Sequence, residues 1–194
     1  MLTLYIAPGS SSMAAHIALR EVRAVFEVRS LSFALKQNRD PAYLAINPQG
    51  KVPTLLVDGR ALTEVAGILF YIARRFPEAD LLPAGDPEAE AQIISWMSFL
   101  ASTAHPARRR GVEYARAVYA LVEDRLGGRD WVVGDRMSIA DIHLFRLFWR
   151  FRGSALSTAS EFVGLTGHYD RMMVRRAVRE TCEVEQAIGY ELPA

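Results

Sequence analysis

The chain opens on a short apolar, β-prone run, Leu2 to Ile6, that stops at Pro8-Gly9, which predicts a buried strand. Ser10, Ser11 and Ser12 then offer side-chain oxygens to the free N–H groups of a helix. Its buried face is Ala15, Ala18, Leu19 and Val22, at i, i+3, i+4 and i+7. Val25 to Leu31 alternates as a second strand, and a helical turn around Pro41 to Ile46 stops at Asn47-Pro48-Gln49-Gly50. Val52 to Val57, the dipeptide Asp58-Gly59 and Arg60 to Leu62 predict a hairpin with a two-residue turn. Thr63 would cap a helix with Val65, Ile68, Leu69 and Ile72 as its apolar stripe. The order is β-α-β-α-β-β-α.

From Phe76 to Pro87 the apolar period lapses among three prolines and a glycine, as in a linker. Everything after it has helical periodicity. Ile93, Trp96, Met97 and Leu100 form one stripe, a second helix runs from about Val112 to Leu126, and Gly127-Gly128 breaks it. Ser138-Ile139-Ala140-Asp141 matches a capping box, with Met137 and Ile142 placed as its hydrophobic staple. The helix that follows, Ile142 to Phe151, is apolar on nearly every side, so it should be a buried central element. At least one more helix ends near Glu185.

Composition narrows the field without deciding it. Of 194 residues, 23 are Lys or Arg and 22 Asp or Glu; a net charge of +1 gives no support for nucleic acid or an acidic membrane as main partner. Cys182 is the only cysteine, so no internal disulfide forms and a reducing, cytoplasmic compartment fits. No basic leader precedes an apolar core at the N-terminus, and no run of apolar residues is long enough to predict a membrane span. His16, His143 and His168 lack metal-ligand spacing, and no metal is expected.

Taken in order, several motifs resemble the cytosolic glutathione transferases, and particularly their bacterial beta-like members. They are Ala7-Pro8-Gly9-Ser10-Ser11-Ser12 with His16 to Leu19, Asn47-Pro48-Gln49-Gly50-Lys51-Val52-Pro53, Leu62-Thr63-Glu64 with Ile68-Leu69, His105, and Ser138 to Asp141. The resemblance implies an α/β thioredoxin-like N-terminal domain over residues 1–77, a linker over 78–87, and an all-α C-terminal domain over 88–194. It implies a homodimer, glutathione as co-substrate, and a cis bond before Pro53. That bend would turn the backbone N–H and C=O of Val52 toward glutathione, whose cysteinyl part would pair as a short added strand.

Such a site must hold a tripeptide with two carboxylates and an ammonium, and must stabilise a thiolate, since free thiols have a pKa of about 8.5 and attack as thiolates. Ser11 lies between the first strand and the first helix, where the helix dipole favours an anion. The family places its sulfur-contacting residue there. The beta class has a cysteine at that position; a serine hydroxyl can donate to sulfur but cannot form a mixed disulfide. The alternatives are that all three serines are helix caps, or that Ser10 takes the role. Glu64 is implied as partner of the γ-glutamyl ammonium. Val65 stands where the family has a serine or threonine, so only its backbone N–H remains for the neighbouring carboxylate. Losing that hydrogen bond should cost about 1.5–3 kcal/mol. Lys36 matches a basic residue near the glycyl carboxylate, or is a solvated loop lysine, and Lys51 and Pro53 belong to the same binding segment.

Ser98, Ser102 and His105 sit at i, i+4 and i+7, opposite the apolar stripe, on a stretch from Ala91 to Pro106 without a single acid, lysine or arginine. A small polar stripe of this kind should face something close, with the interdomain cleft as candidate. The family has a histidine at the position of His105, as a polar contact or proton carrier; a satisfied structural histidine is the alternative. Pro106 should end or kink the helix. Arg108-Arg109-Arg110-Gly111 leads almost directly into the next helix, a shorter wall than the family usually carries. The electrophile site would then be more open, or rebuilt by the partner subunit.

These residues together point to a transferase that conjugates glutathione to a small hydrophobic electrophile, a detoxification chemistry. Ser11 and His105 would be catalytic, and Ser10, Lys36, Lys51, Val52, Pro53, Glu64, Val65, Ser98 and Ser102 would bind glutathione. The rival readings are a non-catalytic binding or assembly module of the same fold, and a glutathione-dependent disulfide reductase or peroxidase using only the bound thiol.

Overall fold

The computed structural model describes residues 1–153 and 161–191. They fall into two compact units: Met1–Arg75 together with the last helix, from Arg176, and Phe76–Arg175. This division differs from the expected 1–77, 78–87 and 88–194. The chain's final helix packs within the first unit, and the stretch expected as a linker buries Leu81 and Leu82 in the second.

In the first unit β1 (Leu2–Ile6), α1 (Ser12–Glu21), β2 (Phe26–Ser30), α2 (Pro41–Leu44), β3 (Thr54–Val57), β4 (Arg60–Thr63) and α3 (Val65–Arg75) follow the predicted order. The sheet order is β2-β1-β3-β4, with β1 and β2 parallel and the other pairs antiparallel. Alternation along β1 sends Leu4 and Ile6 to one face and Tyr5 and Ala7 to the other. The first face is covered by α1 and α3, whose Ile17, Leu19, Ile68, Leu69 and Ile72 are buried. On the second, Tyr5, Ala7, Tyr43 and Val52 form a smaller core with Leu31, Phe33, Ile46 and Leu56. The hairpin turn has positive φ at both Asp58 (49°) and Gly59 (82°), the geometry whose twist matches the strands.

Register fixes where loops gather. Ile6 is opposite Ser30, Tyr5 opposite Thr54, and Thr54 opposite Thr63. The segments 7–11, 31–36, 52–53 and 64–65 therefore all emerge at one end of the sheet.

The second unit contains α4 (Pro87–Phe99), α5 (His105–Ala107), α6 (Val112–Leu126), α7 (Ile139–Arg152) and α8 (Val163–Met173); the first reclaims α9 (Arg176–Ile188). Asp86 caps α4 by accepting from the Ala89 N–H at 3.0 Å. Ile93, Trp96, Met97 and Leu100 are all buried, and α7 is buried from Ile139 through Phe148, as its all-round apolar pattern requires. The capping box forms as expected: Asp141 accepts from the Ser138 N–H at 2.8 Å, and Ser138 Oγ accepts from the Ala140 N–H at 3.2 Å. Asp141 also receives the Val132 N–H at 2.9 Å and His168 Nε2 at 3.0 Å, so one buried carboxylate ties α7 to α8 and the loop before it.

His143 lies inside this unit, 1% exposed, and neither ring nitrogen has a hydrogen-bond partner. Desolvation first, then the nearby charges of His105 and Arg146, push its pKa from 6.5 down to about 3. The unfolded chain takes up a proton here that the folded chain refuses, so the stability is full above pH 6.5 and is lost as pH falls toward 3. A His143→Leu variant should lose less melting temperature than the parent on going from about pH 6.5 to about pH 4. Parallel pH profiles from thermal melts would contradict this.

Candidate functional site

Ser11 stands at the N-cap position of α1 but caps nothing. The first-turn N–H groups are served by others: Ser12 N–H donates to Ser10 Oγ at 3.2 Å and Met13 N–H to the Ser10 carbonyl at 3.1 Å. Ser10 and Ser12 share a hydrogen bond of 2.7 Å between their hydroxyls, and both are buried. Ser12 Oγ also donates to the Ala7 carbonyl at 3.2 Å. The three serines thus have different work. Ser11 alone is part-exposed, and its hydroxyl donates across the loop to the Val52 carbonyl at 3.0 Å. Its backbone N–H has no acceptor among the described residues.

The Val52–Pro53 bond is cis. The segment around it is pinned from inside the small core. Tyr43 Oη donates to the Lys51 carbonyl at 2.6 Å and lies 2.9 Å from Thr54 Oγ1, while Asn47 Nδ2 donates to both at 2.9 and 3.0 Å. Burial pushes the Tyr43 phenol above its ordinary pKa, against the opposing hydrogen bonds of Thr54 and Asn47. Gly50 closes the turn at φ 62°, and a Cβ there would meet the Asn38 carbonyl at 2.6 Å, so no other residue fits. Asn47-Pro48-Gln49-Gly50 is therefore more than a turn: it clamps the strand end beside Pro53.

Opposite Pro53 in the hairpin register, Glu64 has φ 65°, a left-handed conformation that costs a non-glycine residue on the order of 1 kcal/mol. The expected Thr63 cap is instead the last residue of β4, and Glu64 intervenes before α3. The first bond of that helix runs from the Ile68 N–H to the Glu64 carbonyl at 3.0 Å, leaving the preceding N–H groups, Val65's included, without an intrahelical acceptor. The exposed Glu64 carboxylate has no partner among the described residues. Val65 itself is buried. Lys36, with φ 56°, and Lys51 are exposed at the same end of the sheet. Ser11, Val52, Pro53, Glu64, Val65, Lys36 and Lys51 are thus collected at one edge of the first unit.

One residue of the loop's support carried no sequence signal for that role. Glu185, on α9 and wholly buried, accepts from the Gly9 N–H at 2.7 Å and lies 2.9 Å from His16 Nδ1. Arg20 Nε donates to His16 Nε2 at 3.2 Å, so the ring's proton sits on Nδ1 and points at Glu185. A separation of 176 residues hides this clamp from any local pattern.

In the second unit Ser98 and Ser102 are exposed and His105 is half-buried. The helix does not end at Pro106 but widens before it. Residues Leu100–Ala104 form a π turn in which the His105 N–H reaches the Leu100 carbonyl, and three-residue turns follow to Arg110. The wide turn accommodates a ring that can donate nothing to the previous turn. Among the described residues no helix is long and apolar enough to cross a membrane, and no group of three or more His, Cys, Asp or Glu is placed to hold a metal.

The sheet order, the cis-proline edge and the helix start beside it define a thioredoxin-like protein carrying an added helical unit. The chain belongs to the glutathione S-transferase family: residues 1–74 match its N-terminal domain and residues 68–175 its C-terminal domain. Glutathione S-transferase GST-4.5 of Xanthomonas campestris pv. campestris is 34% identical, over 95% of this chain and 98% of its own. Glutathione S-transferase GstA of Escherichia coli O157:H7 is 33% identical, over 98% of each chain. Among solved structures, a glutathione transferase homolog from Sulfitobacter with bound glutathione matches at 34% identity and a TM-score of 0.88, covering 95% of this chain and 98% of that one.

If Glu185 holds the loop, Glu185→Gln should lower stability by about 1.5–3 kcal/mol, because an amide meets two donors with a single acceptor atom. Denaturant melts and glutathione titration check this. Unchanged stability and unchanged binding would remove Glu185 from the site's support.

Proposed function

We propose that this protein is a glutathione transferase that adds the glutathione sulfur to, or displaces a group with it from, a small hydrophobic electrophile. Ser11 donates its hydroxyl to the sulfur, at the positive end of α1. The Val52 backbone pairs with the cysteinyl part of glutathione. Glu64 takes the γ-glutamyl ammonium, and the Val65 N–H its carboxylate. Lys36 and Lys51 attract the carboxylate charges, and Ser10 shapes the loop from within. On resemblance alone, His105 is assigned a role as polar contact or proton carrier, and Ser98 and Ser102 as polar contacts. The protein acts as a homodimer in the cytoplasm, in detoxification.

One observation carries the reading: a part-exposed serine hydroxyl at a helix start, 3.0 Å from the carbonyl beside a cis-proline, at an edge with free backbone donors. Named transferases align along nearly the whole chain, and glutathione is bound in the Sulfitobacter structure. The alternative, glutathione binding without turnover, draws on Val65, which lacks the hydroxyl that would strengthen the carboxylate's hold.

Retention on immobilised glutathione with turnover of an aryl halide is expected; retention without turnover would favour the binding module. Ser11→Ala should reduce kcat/KM about a hundredfold, the usual effect of deleting a donor aimed at developing charge. A rate within about threefold of the parent would show that another group activates the thiol.

A further inference from the structure

A hydroxyl has one proton to give, and in this structure Ser11 gives it to Val52. The glutathione reading makes two demands on that single bond. The Val52 carbonyl is to accept from the tripeptide backbone, and the Ser11 proton is to hold the sulfur. Among the described residues Ser11 Oγ is the only donor this carbonyl has. A carbonyl deserted by Ser11 loses the one protein donor it has among the described residues. The neighbouring hydroxyls cannot substitute, because Ser10 and Ser12 are buried and bonded to each other.

Resting on that reading, we infer that recognition of the peptide and ionisation of the thiol are one exchange: the cysteinyl amide N–H of glutathione takes over the Val52 carbonyl, and the Ser11 hydroxyl, so released, rotates to donate to the sulfur. The thiol S–H bond breaks, its proton leaves to solvent, and the hydroxyl keeps its own proton throughout. A side-chain rotation about one bond suffices, since the loop on either side is fixed by the Gly9–Glu185 and Ser10–Ser12 bonds. The Val52 carbonyl keeps one donor before and after, so the rotation is nearly free only when an N–H arrives. The site therefore selects for thiols that carry a backbone N–H next to the sulfur-bearing residue. It leaves other thiols bound but protonated.

The test uses the intact protein and two ligands, glutathione and its ester analogue in which oxygen replaces the cysteinyl amide N–H. Calorimetry gives affinity, and ultraviolet titration of thiolate absorbance gives the pKa of the bound thiol. Bound glutathione should titrate about 1–2 units below its free value, the size of one hydrogen bond to a charged group. The ester should bind within about tenfold of glutathione, because the Ser11–Val52 bond simply stays in place, yet titrate near the free-thiol value of about 8.5. In Ser11→Ala both ligands should titrate alike, near the free value. An ester thiol lowered as far as that of glutathione overturns the exchange while leaving the transferase reading intact. Affinity for the ester reduced more than about a hundredfold also overturns it, since the N–H would then supply binding rather than release a proton. If glutathione itself does not bind, or binds with its thiol unshifted, the reading of the site fails and the exchange with it.

Discussion

The contact between the Ser11 hydroxyl and the Val52 carbonyl joins the start of a helix to the residues leading into a strand, 41 residues apart in sequence, and the first unit is built to hold both partners still. Tyr43 and Asn47 fix the chain on either side of Val52 from within the small core. Glu185 fixes the loop that carries Ser11 through the Gly9 N–H. Neither support touches the two atoms that matter. Between them the Ser11 hydroxyl can still rotate about one bond, and a mobile donor against a rigid frame is an economical way to meet charge that appears only when a ligand binds.

The same device recurs where no chemistry is expected. Asp141 in the second unit collects two hydrogen bonds from Ser138 and one each from Val132 and His168, and Glu185 in the first collects Gly9 and His16. A buried carboxylate is tolerable only when its oxygens are filled, so each must be met by donors from several elements at once. Each therefore specifies how those elements meet more sharply than apolar packing does. His143 is an exception among the described residues, a buried imidazole with both nitrogens unpartnered. Its polarity brings no compensation in the fold.

Much of this was legible in the chain. The strand Leu2–Ile6, the Asp58-Gly59 hairpin, the stripes on α3 and α4 and the capping box of α7 come from local periodicity and turn chemistry, and the structure forms them where the pattern puts them. The cis bond before Pro53 followed from resemblance rather than from any residue preference. What the pattern could not give was long-range. The return of α9 to the first unit, and Glu185 with it, depends on a contact 176 residues from its partner. The serines left alternatives open. Three in a row at a helix start could all have been caps, and the folded loop shows Ser10 accepting from the first turn while Ser11 caps nothing. At Pro106, where the helix was expected to end or kink, it widens into a π turn instead of stopping, which accommodates the proline ring.

In the proposed mechanism this edge captures glutathione and ionises its thiol in the same event. Titration calorimetry near neutral pH, run in two buffers of different ionisation enthalpy, measures the protons released per ligand bound. A thiol lowered by about 1–2 units from about 8.5 must shed about 0.2 to 0.7 of a proton on binding at pH 7. That release is expected of the parent protein. Binding heat identical in the two buffers, or no binding at millimolar glutathione, would contradict it.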